Sequence, residues 1–174
     1  MARIRKFVAY RKLERPYTRI SKYKKKSYIK SDPHPKVVVF GMGDSKKKFQ
    51  YSLHLVSQAS IQVRDNAIES ARQTSNKLLE KTIGPTNYFF RIRIYPHHIL
   101  RENPLAAGAG ADRFSTGMSH SFGKPIGVAA QIRKGQKLMS INVDKTHIDT
   151  AKKALKRAYQ KLPCSCTIEI QENK

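Results

Sequence analysis

The first fifty residues hold 16 lysines and arginines against three acidic residues, and no compact domain buries such an imbalance. Unpaired Lys and Arg stay at the surface, and their mutual repulsion opposes compaction. Between residues 3 and 30 the basic positions are Arg3, Arg5, Lys6, Arg11, Lys12, Arg15, Arg19, Lys22, Lys24, Lys25, Lys26 and Lys30, with Tyr10, Tyr17, Tyr23 and Tyr28 among them. Neither helical nor strand periodicity runs through them, and Pro16, Pro33 and Pro35 interrupt the stretch. Residues 1–35 are therefore expected to be an extended basic arm, ordered by a polyanionic partner. Tyrosine interleaved with Arg and Lys suits base stacking and phosphate contact.

The remaining composition excludes several classes. The chain has 174 residues with 35 Lys plus Arg and 12 Asp plus Glu, a formal net charge of +23. That length fits one domain with an arm. No stretch approaches the roughly 20 apolar residues of a membrane span, so no membrane partner is expected. Residues 1–17 hold no apolar signal region, so secretion is not expected. Two cysteines, Cys164 and Cys166, make no disulfide framework and fit a reducing compartment.

Residues 36–174 read as a folded body. Lys36–Met42 (KVVVFGM) reads as a buried strand, and Phe49–Val56 alternates as a half-buried one. A helix is expected over Gln58–Ile83, stopped by Gly84-Pro85. Asn87–Tyr95 is a strand with Tyr88, Phe90, Ile92 and Ile94 on one face and Arg91, Arg93 and Tyr95 on the other. A long irregular stretch covers Pro96–Pro125. Ile126–Ile132 and Lys137–Val143 then suggest a hairpin turning at Lys134-Gly135. A second helix over His147–Leu162 begins at a capping-box pattern, Thr146 with Asp149, and ends at Pro163. Cys164, Cys166, Ile168 and Ile170 alternate as a last strand. Two ββαβ-like halves result. The class is α+β: a mixed sheet with two helices packed on one side.

No enzyme is legible. Gly41-Met42-Gly43 lacks the third glycine and the following helix of a dinucleotide fingerprint, and Gly123-Lys124 has no P-loop frame. His97-His98 has no matching ligand pair, so no metal or cofactor is expected. The two cysteines read as small packing side chains. Arg91 and Arg93 share a strand face that cannot be core and suits phosphate or base contact. With Lys124, they and the arm cations make the expected RNA-binding set. The 30 residues from Pro96 to Pro125 exceed an ordinary connection. Arg101, Asn103, Asp112 and Arg113 flank a glycine-alanine tip there, which favours function.

Several ordered blocks carry a resemblance. They are Arg64–Arg72 (RDNAIESAR), Tyr95–Asn103 (YPHHILREN), Gly108–Arg113 (GAGADR), Gly117-Met118 and Phe122–Gly127 (FGKPIG). Together they resemble large-subunit ribosomal protein family sixteen in its archaeal and eukaryotic form, called L ten e, with wording closer to the archaeal members. The resemblance implies an α/β-hammerhead fold. It implies binding to large-subunit rRNA below the central protuberance, beside the aminoacyl-tRNA site. The glycine-alanine loop would reach toward the peptidyl-transferase centre, so Arg101, Asn103, Gly108, Gly110, Asp112 and Arg113 would form a tRNA-site loop. Residues 104–107 depart from the Lys-Met-containing version of the family. The implied partners are rRNA, tRNA in passing and neighbouring ribosomal proteins, in the cytoplasm within the ribosome. A stand-alone RNA binder or RNA chaperone is the alternative.

Overall fold

A computed structural model of the chain describes residues 5–29, 31–103 and 123–173. The strands are β1 (Gly41–Gly43), β2 (Tyr51–Ser57), β3 (Ile61–Arg64), β4 (Tyr88–Ile92), β5 (His98–Glu102), β6 (Lys124–Ile132), β7 (Lys137–Val143) and β8 (Cys166–Glu172). The helices are α1 (Asp65–Thr82) and α2 (Ile148–Tyr159). The α+β class holds. The sheet divides in two: a five-stranded one ordered β1-β4-β7-β2-β8 and a three-stranded one ordered β3-β6-β5. Among the described residues every ladder is antiparallel, so the expected mixture of strand directions is absent.

The core follows from period two. Met42, Phe90, Ile141, Leu53 and Ile170 form one cross-strand row of the large sheet, and Ile92, Met139, Leu55 and Ile168 form the next. Buried residues of both helices close over these rows, including Ile68, Ala71 and Leu79 of α1 and Ala151, Ala154 and Leu155 of α2. The helices lie side by side, and the Ser75 hydroxyl donates to the Ala154 carbonyl at 3.0 Å. α1 rests on β3, β4 and β6, and α2 on β2, β7 and β8.

Several expectations need correction, among them the irregular stretch Pro96–Pro125, which already contains strand β5 because its buried His98-Ile99-Leu100 pairs with β6. Of the valine run only Val37 is buried; Val38 is 79% and Val39 45% exposed, and the strand is only Gly41–Gly43. β1 ends at Gly43, whose positive φ of 86° and close approach to the Tyr88 carbonyl leave no room for a Cβ. The first helix begins at Asp65 rather than Gln58. Ile61 and Val63 fit either periodicity, and pairing with β6 makes β3 out of them. The Thr146–Asp149 capping box does not form. A 3-10 turn at Lys145–His147 precedes α2, with no side-chain cap, and Asp149 pairs with Lys152 at 3.7 Å.

A further correction is topological. β6 and β7 are not a hairpin, because β6 pairs with β3 and β5 whereas β7 pairs with β2 and β4. Their turn is tied instead to the end of β2: Ser57 N donates to Gln136 O at 3.0 Å and Gly135 N to Ser57 O at 2.8 Å. Lys134 N reaches the Ser60 hydroxyl at 3.1 Å. The β2–β3 and β6–β7 connections thus leave the large sheet for the small one at a single shared corner. Backbone groups that a hairpin would pair internally are satisfied across that corner.

Candidate nucleic-acid interface

The basic arm is held down by backbone recognition. Residues 10–17 run along the small sheet. Gln62 and Gln131, opposite each other on β3 and β6, use their side-chain amides to grip arm carbonyls. Gln62 donates to Tyr10 O at 3.2 Å and to Lys12 O, and Gln131 to Glu14 O at 2.7 Å. Both sheet edges are occupied as well: Gln62 N donates to Arg11 O at 3.3 Å, and Ile99 N to Tyr17 O at 3.1 Å. Covering exposed edge groups in this way blocks unwanted strand pairing. Ile29 and Tyr17 add apolar contact with Ile99 and Val128.

Because the grip falls on carbonyls, the arm's cations stay outside. Arg11, Lys12, Arg15, Arg19, Lys22, Lys24, Lys25 and Lys26 are all exposed. Among the described residues none of them forms a salt bridge. Several lie over tyrosines: Arg19 is 4.4 Å from the Tyr28 ring centroid, and Lys22 and Lys26 are each 5.4 Å from that of Tyr23. Tyr23 and Tyr28 are themselves exposed. Cation and ring side by side offer the two chemistries that suit a phosphate and a stacked base.

The second element is the outer face of the large sheet, away from the helices. Arg91 and Arg93 are exposed, as expected, and Tyr95 is 56% exposed and stacked on Phe40 at 5.6 Å. Arg93 is braced rather than loose. Its Nε donates to the Ser140 hydroxyl at 2.5 Å, and that hydroxyl meets His54 Nδ1 at 2.8 Å. His54 and Ser140 are buried because β2 and β7 are central and neighbouring side chains cover them. Burial, then the positive charges of Lys137 and Arg93, hold His54 below the ordinary histidine pKa. A neutral His54 adds no further positive charge beside Arg93 and Lys137.

The third element is the pair of strand ends that flank residues 104–122. Glu102 at the end of β5 faces Lys124 at the start of β6, so these two strand ends adjoin. Arg5 binds Glu102 at 2.6 Å and the Tyr10 hydroxyl approaches it at 3.5 Å. The Arg5 pairing balances the Glu102 charge. Arg101 stacks on Tyr17 at 3.9 Å, and among the described residues its buried Nη1 has no hydrogen-bond partner. Asn103 is half-buried and Lys124 exposed. Arg3, Gly108, Gly110, Asp112 and Arg113 lie outside the described residues.

His97-His98 is not a pair. His97 is exposed, whereas buried His98 accepts the Tyr17 N–H on Nδ1 at 2.9 Å. Sequence reasoning missed this anchor and the two glutamines. Their only signal was an amide or imidazole set between apolar strand residues. Desolvation holds the His98 pKa below its ordinary value of 6.5. The unfolded chain therefore takes up a proton first as pH falls below about 6.5, and the folded state loses stability until its own lower pKa is passed. Protonation also occupies the nitrogen that holds Tyr17. Hydrogen exchange at the Tyr17 amide is expected to gain on its acid-slowed intrinsic rate between neutral and mildly acidic pH. In H98N, whose side-chain oxygen accepts without titrating, that gain should be absent. An unchanged gain in H98N would remove His98 from the anchor.

Known proteins are similar to this chain over most of its length. Residues 16–169 match the family described as ribosomal protein L16p/L10e. A protein of Methanococcus maripaludis strain C5, named large ribosomal subunit protein uL16, is 47% identical over 152 residues, 87% of this chain and 88% of its own length. The protein of that name from M. maripaludis strain S2 is 46% identical over 165 residues, 95% and 92% of the two chains. That from Archaeoglobus fulgidus is 44% identical over 163 residues, 94% and 90%.

Proposed function

Because the chain belongs to the ribosomal protein L16p/L10e family, we propose that it is a structural, non-enzymatic constituent of the large ribosomal subunit. It works by binding folded rRNA beside the aminoacyl-tRNA site. One observation carries the RNA reading: exposed arm cations without carboxylate partners among the described residues, held on a rigid body by their backbone. A pre-positioned cationic strap loses less conformational freedom on binding than a free tail. Its Lys and Arg displace counterions from phosphates. Phosphate contacts position the body without reading sequence, which suits a wedge that sets the angle between RNA helices.

In this reading Arg91, Arg93 and Tyr95 form a second contact surface on the outer face of the large sheet. Residues 101–113, based on the Glu102–Lys124 pair, extend toward the tRNA path. Neighbouring ribosomal proteins complete the surroundings, and the site of action is the ribosome in the cytoplasm. Replacing residues 105–111 with a short turn is expected to leave assembly into large subunits intact while slowing peptide synthesis. Failure to assemble would instead give the loop an assembly role. Ultraviolet crosslinking within the particle should join rRNA to peptides from residues 5–29 and 89–95. Crosslinks confined to the lysine face of α2 would overturn this assignment of surfaces.

A further inference from the structure

Between the end of α2 and the start of β8 the two thiols meet. Cys164 Sγ and Cys166 Sγ are 3.6 Å apart, and the Ser57 hydroxyl points at Cys164 Sγ from 3.9 Å. Cys164 is 8% exposed and Cys166 is partly exposed. The segment from Leu162 to Ser165 belongs to neither helix nor strand, so a sulfur can shift there without breaking a ladder. Cys166 opens the β2–β8 ladder opposite Ser57. Packing alone, the role expected from the sequence, does not require the sulfurs to touch. Among the described residues no third metal ligand gathers beside them.

We propose that Cys164 and Cys166 are a reversible dithiol–disulfide site, oxidised by a small-molecule disulfide such as oxidised glutathione. The contact distance must close to about 2.0 Å for the bond to form. The thiolate of Cys166, the accessible sulfur, attacks one sulfur of oxidised glutathione. A mixed disulfide forms and one glutathione thiolate leaves. Cys164, as thiolate, then attacks the Cys166 sulfur, forms the Sγ–Sγ bond and expels the second glutathione thiolate. The two protons end on the two released glutathiones, and the protein pair has lost two electrons to the reagent.

The resting thiolate belongs to Cys164: the shared hydrogen bond and burial push the Cys166 thiol up, so the first attack draws on its minor thiolate form. A hydrogen bond from the Cys166 thiol and a second from Ser57 bring the Cys164 pKa down to about 7. Near neutral pH the pair therefore holds one proton between its sulfurs. Moving that proton from Cys166 to Cys164 frees the outer sulfur for the first attack. Loss of it from Cys164 then frees the inner one for the second. Closure two residues apart makes a small, strained ring, and strained disulfides are easily reduced. The site is consequently labile, with a dithiol reductant as its reset.

The test uses the reduced full chain, oxidised glutathione at mildly alkaline pH, a maleimide quench and intact mass. The wild type should lose the mass of two hydrogens and take up no maleimide, and dithiothreitol should restore two maleimide adducts. C164S, checked for fold by circular dichroism, should stop at one stable glutathione adduct on Cys166. Retention of two maleimide adducts in the wild type would overturn the proposal. So would stable glutathione adducts on the wild-type chain, or a disulfide-linked dimer.

Discussion

Replacing Arg11, Lys12, Arg15, Lys22, Lys24, Lys25 and Lys26 together by glutamine is expected to weaken binding to large-subunit rRNA by roughly a thousandfold or more near physiological salt. All seven are exposed and have no carboxylate partner among the described residues. Each one that displaces a counterion contributes about 0.7–0.9 to the slope of log affinity against log salt. Losing all seven should flatten that slope by roughly 5–6. The substitution separates charge from docking. The arm is fixed through the carbonyls of Tyr10, Arg11, Lys12, Glu14 and Tyr17, which side-chain replacement leaves in place. Hydrogen-exchange protection at Gln62 and Ile99 should therefore persist while affinity collapses. Titration of the two proteins across a salt series reads both quantities, and equal slopes would show that the arm cations do not meet phosphate.

The largest effect on stability is expected at Phe90. Phe90→Ala should destabilise the fold by about 3–5 kcal/mol, a large share of the ~5–15 kcal/mol typical of a domain. Phe90 is fully buried in the row Met42–Phe90–Ile141–Leu53–Ile170, beneath both helices. The aromatic ring is large and its neighbours belong to fixed strands, so the cavity cannot collapse far. Ile170 ends the same row on the edge strand and is 46% exposed. Ile170→Ala should cost about 1 kcal/mol or less, since surface substitutions seldom do more. Urea unfolding of the pair checks both, and equal losses would contradict the assignment of the row's interior.

Where local pattern and tertiary role coincide, the sequence was readable. Tyr88, Phe90 and Ile92 alternate against Arg91 and Arg93, and the strand falls there with the expected faces. The stripe Ala151, Leu155 and Ala158 likewise makes the buried face of α2. Reading failed where one segment satisfied two patterns, as at Ile61–Arg64, where the choice lay with β6, nearly seventy residues away. The β6–β7 turn looked like a hairpin because turn chemistry is local, while the division into two sheets is not. The arm was legible as charge and illegible as geometry. Its anchors are Gln62, Gln131 and His98, whose function is to hold carbonyls and an amide that no side-chain pattern announces. At the interface, Arg91, Arg93 and the arm cations stood out by charge. The brace of Ser140 and His54 beneath Arg93 depends on two strands brought together only by folding.

The most direct test is sedimentation of the native chain from a gently lysed cell through a sucrose gradient, repeated after a high-salt wash. A structural constituent bound through many phosphate contacts on a fitted surface should stay with the large-subunit particle in both gradients. Recovery of most of the chain as a free monomer at the top of the gentle gradient would contradict the account.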